Sequence, residues 1–396
     1  MATDAHSLLR VRALFCLIGF AEAAFVPFLP LLLRDRGLDA QAIGTVLALI
    51  AAVGFAAGPA WGYLADRVLG RERTLAVCLA GTAAGAVLLG FSHSTVSLAI
   101  AGCVTWLFRA PGMPLADALA LDRLGVSRRD AYGTVRFWMS ATFAVGALIW
   151  GVVLQTFGID VMAFGYASLV AVNAVLVAVV FRGRWPRPLR AAPRGERVGS
   201  LGSAPPVVLF LVALFLIFTP YVAAYSFAAV QIAALGGGAL FVGLAAGLQG
   251  AAEVPSMIAT SRFAHRMRPA HVFAAGAAFY LVVYVIWALV HDPLVLALTR
   301  TIAGLGFGLT YVGSVVIADE LVPARLRATG QAASRAVASG LAPVVGSIGG
   351  GVIFGTFGPV SFFVTAAVLT AAAVVVAWAA ESAQLATVEQ TELEQV

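Results

Sequence analysis

An all-α, polytopic membrane protein is the fold class this sequence predicts, and three observations predict it. Hydrophobic residues make up 61% of the chain and charged ones 11%, with a mean hydropathy of +0.96, so no water-soluble surface can be assembled from it. The apolar residues gather into twelve stretches, most of them near or above the roughly 20 residues that carry a helix across a bilayer. The loops between them alternate between crowded with arginine and almost free of it. Only helices and closed barrels satisfy the backbone in lipid, and stretches this long read as helices.

The predicted spans are 11–33, 41–65, 74–91, 95–121, 131–156, 160–181, 207–233, 239–261, 270–290, 293–318, 330–354 and 359–380. The first is too long for the apolar core of a signal peptide and no small-residue cleavage site follows it, so it is expected to stay as a helix. The predicted organisation is an N-terminal six-helix half over 1–181, a linker loop over 182–206, a C-terminal six-helix half over 207–380 and an acidic tail over 381–396.

Charge placement predicts the orientation. All 25 basic side chains are arginines. If every span crosses, 19 of them fall in loops on one side: Arg10 and Arg12 in the N-terminal arm, the groups around Arg67, Arg128, Arg187 and Arg266, and finally Arg325 and Arg327. The opposite side has Arg34 and Arg36. The positive-inside bias then puts both termini in the cytoplasm, and a bacterial inner membrane is the expected location. The net charge of +6 is thus a topology signal rather than a footprint for nucleic acid, and no nucleic-acid partner is expected.

Other chemistries find little support. Cys16, Cys78 and Cys103 fall inside predicted helices, where a free thiol behaves as a small hydrophobe, and no disulfide or metal spacing is present. The five histidines (His6, His93, His265, His271 and His291) lie in loops or at helix ends on both sides. No nucleotide loop or catalytic triad can be assembled, so the expectation is no enzyme, no cofactor and no metal.

An offset of 199 residues lays the second half on the first. Ala65-Asp66-Arg67 falls on Ala264-His265-Arg266, and Gly44 falls on Gly243. His93 and His291 come one residue out of step in corresponding outer loops. The central loop, with Pro186, Pro188, Pro193, Pro205 and Pro206, is the natural boundary. Six plus six helices related as parallel repeats are one large transporter architecture, with its site near the midplane between the halves.

Gly62-Tyr63-Leu64-Ala65-Asp66-Arg67, followed by Gly70, Arg71 and Arg73, resembles the signature loop of the major facilitator superfamily. Val68 and Leu69 separate Arg67 from Gly70 where many members have one residue. In that family the loop latches the halves on the cytoplasmic side, and an acid at a helix end beside arginines suits the task. Further stretches resemble the phenylpropionate permease-like group, with its lactose and nucleoside permease relatives. These are Phe25 to Pro30, Asp35 to Leu38, Gln41 to Gly44, Pro114 to Ala118, Tyr132 to Trp138, Ala252 to Pro255 and Leu326 to Gln331. The group often has glycine-serine after the tryptophan of the fifth helix, where this chain has Met139-Ser140. The resemblance covers about residues 11–380. It implies a secondary active transporter, mostly by proton symport, with the first, fourth, seventh and tenth helices around a central cavity.

Charges at membrane depth are the best functional leads, because each costs roughly 2.5–3.5 kcal/mol near the bilayer centre and those that persist usually face a cavity. Glu22, Arg109, Glu253 and Arg300 are the candidates for proton coupling. Glu22 with Arg109 is the preferred pair, since a carboxylate that alternates between an arginine partner and a desolvated neutral state binds and releases a proton with conformation. A static pair that only fixes helix packing is the competing reading. Arg300 opens Arg300-Thr301-Ile302-Ala303-Gly304, an arginine-x3-glycine pattern linked to anion handling or proton transfer. Asp117 and Arg136, near the cytoplasmic ends of their helices, are expected at an inner gate with Asp66. Trp106, Trp138, Tyr221 and Tyr225 offer a binding surface for a planar aromatic acid, a nucleoside or a sugar. Trp106 precedes Arg109 by three residues, on the same helix face.

Two transport readings compete. Proton symport of a small organic solute by a monomer leads; drug or metabolite export by proton antiport is the alternative. Exporters of the superfamily usually carry glycine-proline-x-x-glycine-glycine in the fifth helix, and residues 138–151 lack it.

Overall fold

The computed structural model describes residues 2–124, 132–180, 205–263, 266–322 and 327–393. Most of the linker over 182–206, and with it Arg128, Arg129, His265 and Arg325, lies outside them. Among the described residues the chain is helical throughout, with no strand.

The first half comprises α1 (Ala2–Phe25), α2 (Leu29–Asp35), α3 (Ala40–Arg67), α4 (Arg71–Gly90), α5 (Thr95–Arg109), α6 (Gly112–Leu124), α7 (Tyr132–Phe157) and α8 (Val161–Val180). The second comprises α9 (Pro205–Ala234), α10 (Gly238–Phe263), α11 (Pro269–Leu289), α12 (Pro293–Leu321), α13 (Arg327–Ala336), a π-helical turn (Val337–Leu341) and α14 (Ala342–Leu393). Among the described residues, eleven helical stretches are long and apolar enough to cross a membrane, and the last runs 57 residues from Thr329 to Leu385. It is two spans in one, because Gly358 has φ 82° and is followed by Pro359. A positive φ suits glycine, and proline cannot continue the preceding hydrogen-bond ladder, so the chain breaks there. Twelve spans result, as the sequence predicts. The helix then continues to Leu393, through the segment set apart above as an acidic tail.

Two spans are interrupted at membrane depth. The first breaks into α1 and α2 over Val26–Phe28, around Pro27, and the fourth into α5 and α6 at Ala110 and Pro111. These breaks come four residues after Glu22 and directly after Arg109. Non-helical backbone is tolerated in a membrane where it is buried in protein or lines a cavity. Loop ends are capped conventionally: the Asp39 carboxylate accepts from Ala42 N at 2.7 Å, and Ser94 and Ser97 form a capping box.

Lipid replaces water as solvent, so packing rather than burial of apolar surface selects the interfaces. Leu88, Ile100, Val152, Val175 and Val282 are all more than half exposed, whereas glycines line the helix crossings. Two crossings join the halves. At α3 and α14, a methyl group placed on Gly351 would stand 2.7 Å from the Ala40 carbonyl oxygen and 3.0 Å from Gly44 Cα. At α7 and α10, one placed on Gly243 would stand 2.7 Å from Gly151 Cα. The repeat that lays Gly44 on Gly243 therefore pairs two glycines that do the same thing: each admits the backbone of the opposite half.

Both crossings lie toward the arginine-poor end. There Gln41 donates to Thr356 Oγ1 at 3.0 Å, Leu240 N donates to Gln155 Oε1 at 3.3 Å, and Arg34 donates to the Val230 carbonyl at 3.5 Å. Each contact spans the two halves.

Candidate functional site: a cavity between the halves

A cavity of about 1370 Å³ opens between the halves. Its closed end is lined by Val26, Leu29, Leu47 and Ser347, near the crossings. At the arginine-rich end Pro59, Pro114, Arg335 and Ser339 line it and are exposed.

The first half contributes Trp106 and Arg109. Arg109 Nε donates to both Glu22 carboxylate oxygens, at 3.2 and 3.1 Å, and its Nη2 makes a close ion pair with Oε2. Tyr166 donates to Oε1 from the other side at 3.5 Å. The guanidinium stacks over Trp106, 4.5 Å from the ring centroid. Phe25 stacks on Tyr166 at 4.2 Å and tilts against Trp106 at 5.6 Å, which completes an aromatic frame. Side-chain exposure is 23% for Arg109 and 15% for Glu22, so the pair is held out of bulk solvent yet reachable. A bidentate guanidinium–carboxylate pair is the strongest geometry such groups adopt.

The second half is built differently. Glu253, half-buried on α10, accepts from Gln249 Nε2 at 2.9 Å, and the same amide nitrogen donates to Tyr221 Oη at 3.0 Å. Gln249 is 2% exposed and its Oε1 has no partner among the described residues. All three residues line the cavity, and Tyr221 is braced by Phe307 at 5.2 Å. Ser256 donates to the Leu305 carbonyl at 2.7 Å and Gly304 packs on the Gln249 backbone, so α12 fixes this stretch of α10.

Arg300 is placed otherwise than the helix-ring expectation suggests. It is 4% exposed and sits behind Tyr225, its guanidinium 4.5 Å from that ring and 5.5 Å from Trp287. Tyr225 lines the large cavity; Arg300 does not. Trp138 also fails to reach the cavity. It is 45% exposed on α7 and packs edge-on against Phe137. The cavity residue of α7 is Phe143, five positions on and so about 140° around the helix from Trp138.

The loop residues cluster at the arginine-rich end. Arg71 reaches Asp66 at 3.4 Å and Asp122 at 2.8 Å, which ties α3, α4 and α6 together within the first half. Gly70, with φ 82°, makes the turn that allows this. Gly62 is half-buried on α3, and Arg67 and Arg73 are exposed. Asp117 lies 3.5 Å from Arg136, whose guanidinium also touches the Met113 and Met139 sulfurs.

Sequence reasoning overlooked Arg335, Gln249, Tyr166 and Asn173. Arg335 lies in the eleventh span and was legible: Gln331, Arg335 and Ser339 repeat every four residues and share one face. The π turn beginning at Val337 sits on that face, and such turns are frequent at functional sites. Gln249 and Asn173 carry no charge, so nothing in a hydropathy reading separates them from packing residues.

Residues 11–365 match the MFS_1 like family. The chain belongs to that family. Among curated proteins it is similar to the maltose permease of Geobacillus stearothermophilus, with 28% identity over 331 residues, 83% of this chain and 82% of that protein. In fold it resembles a point variant of the nucleoside transporter NupG, with a TM-score of 0.84 at 16% identity over 95% of this chain and 99% of the other. The POT family transporter PepTSo gives 0.74 at 15% identity over 96% and 98%. These relatives are transporters, and the present chain is a membrane transporter of the same fold.

Proposed function

We propose that the protein is a proton-coupled symporter that imports a small organic solute by alternating access, with Glu22 as the proton-carrying acid. The observation that carries the reading is the Glu22–Arg109 pair beside a cavity that both halves line. Arg109 holds the Glu22 carboxylate. A solute that engages Arg109 and Trp106 from the cavity weakens that hold, and a released, half-buried carboxylate takes up a proton. Solute and proton are thereby linked through one guanidinium.

The solute class this site favours is a sugar or a nucleoside. Gln249, Glu253 and Tyr221 supply donors and acceptors for hydroxyls, while Trp106 and Tyr225 supply ring faces. The named substrates of the maltose permease and of NupG support that class ahead of an aromatic acid. The arginine bias puts both termini and the cavity mouth on the cytoplasmic side of a bacterial inner membrane, so this conformation is inward-facing. The halves 1–181 and 207–380 rock as bodies about the glycine crossings, with the loop over 182–206 as a tether. Asp66, Asp117, Arg136 and the arginines around Gly70 form the cytoplasmic gate, and the monomer is the working unit.

The test is uptake by proteoliposomes of the full chain against a panel of maltose, uridine and phenylpropionate under an imposed proton gradient. Accumulation of one solute that collapses with a protonophore supports the reading. Efflux driven by an opposite gradient, as an exporter would give, or accumulation indifferent to pH, overturns it.

A further inference from the structure

Glu22 does not line the large cavity. It borders a second one, of about 150 Å³, lined within the first half by α1, α4, α5, α6 and α8. The two cavities share Arg109, Ala110 and Met113 as a common wall. A solute in the large cavity therefore meets the guanidinium, while the carboxylate faces the chamber behind it.

The lining of that chamber is polar at chosen points. Asn173 is 1% exposed; its Nδ2 donates to the Leu169 carbonyl at 3.2 Å, and its Oδ1 has no partner among the described residues. Thr82 is 2% exposed and spends its hydroxyl proton on the Cys78 carbonyl at 2.7 Å, which leaves its lone pairs free to accept. Tyr166 spends its own on Glu22. The chamber thus offers acceptors: Asn173 Oδ1, Thr82 Oγ1, Tyr166 Oη and the carboxylate. Leaving a buried acceptor unmatched is costly, so this arrangement calls for a donor. Roughly 10–15 Å³ of such space holds one water, so several fit, each within reach of polar partners. A metal cation would satisfy the same acceptors, but Arg109 already neutralises Glu22 and repels it.

Direction follows from the helix geometry. Tyr166 meets Glu22, and Asn173 lies seven residues further along α8, about 10 Å toward the arginine-rich end. Facing groups are few. Arg109 and Tyr166 touch the carboxylate, and Tyr225 of the second half lies within electrostatic range of it. Arg136, the charged residue of α7, is turned to Asp117, and on α6 Asp122 is bound to Arg71.

We propose that the chamber holds a short chain of waters that carries the proton from Glu22 out to the arginine-rich side, apart from the solute's path. One O–H bond breaks on the Glu22 carboxyl group and one forms on the adjacent water, which passes a proton to the next. The neutral acid beside a free guanidinium becomes the ion pair again, and Asn173 and Thr82 are positioning residues for the relay. This rests on the reading of Glu22 as the proton-carrying acid.

The experiment follows the infrared carboxyl band of Glu22, assigned by its loss in Glu22→Gln, after an acid jump that runs the same relay in reverse, on the reconstituted full chain with no solute present. Asn173→Leu and Thr82→Val, near-isosteric changes, should each slow the rise of the band by roughly tenfold, the scale of one hydrogen bond lost from the relay. A bulky Ala332→Trp at the mouth of the large cavity should leave that rise unchanged. Equal rates in wild type and both chamber variants, or a slow rise only in Ala332→Trp, would show the proton entering by the solute's route and overturn the proposal. A band that shifts when sodium replaces potassium would overturn it in favour of a cation site. If no Glu22 band titrates in the wild type, the reading of Glu22 itself fails, a different result from either.

Discussion

The two halves carry acids of opposite design. In the first, Glu22 is bound by a guanidinium through two nitrogens and framed by aromatic rings. In the second, Glu253 is held by a neutral amide, and the buried Arg300 guanidinium is clamped between Tyr225 and Trp287 instead. A charge held by an opposite charge can be switched by whatever competes for its partner. A carboxyl group held by an amide keeps acceptor capacity for hydroxyls. Under the proposed function, the first half answers the proton and the second recognises the solute.

Breaking the first half should have the largest effect. Glu22→Gln is expected to abolish accumulation against a gradient while solute counterflow persists; undiminished accumulation would end the assignment. Arg109→Ala leaves a buried carboxylate alone, a change that costs about 3–5 kcal/mol if the acid stays ionised. Thermal unfolding of that variant should therefore recover toward wild type as the pH falls, because a protonated Glu22 no longer needs the partner. A flat difference across pH would count against the pair.

Gly243→Val or Gly351→Val comes next. The added side chain cannot fit against the opposite backbone, so the arginine-poor end should be forced apart. A cysteine placed at Leu47, on the closed end of the cavity, reports this: its labelling by an impermeant maleimide from that side should rise roughly tenfold, about 1.4 kcal/mol of shift. Unchanged labelling would mean that the crossings do not hold that end shut.

Gln249→Ala sharpens the comparison from the other half. It should weaken solute affinity by roughly 3- to 10-fold, the loss of about one hydrogen bond, with no change in the pH profile. A shifted pH profile would move proton coupling into the second half. Asp66→Asn should matter least, because an exposed pair is worth about 0–1 kcal/mol. A few-fold shift in the same maleimide assay is expected, and a larger one would show Asp66 gripping the second half rather than Arg71.

Much of this was legible in the sequence, for identifiable reasons. Span positions follow from hydropathy because lipid demands long apolar helices, and Glu22 and Arg109 stand out because charge at that depth is expensive. The breaks at Pro27 and Pro111 could also have been read, since both prolines are visible within predicted spans. What could not be read depends on rotation about a helix axis and on neighbours distant in the chain. Trp138 was placed by proximity to the right span, yet it lies on the wrong face of α7. Arg300 was assigned to a cavity helix, yet Tyr225 stands in front of it. Asn173 became notable only once its oxygen was seen without a partner beside a chamber.

The salt bridge at mid-membrane has an electrical consequence. Glu22 with Arg109 sums to zero, and under the proposed mechanism one added proton makes the loaded carrier a monovalent cation. A full membrane crossing by one charge is worth roughly 2.3 kcal/mol for each 100 mV. Because the pair sits near the midplane, about half of that field falls on the proton's entry from one face and half on its exit at the other. A negative interior therefore assists both steps, and net uptake of an uncharged solute carries an inward current that an electrode across the bilayer would record.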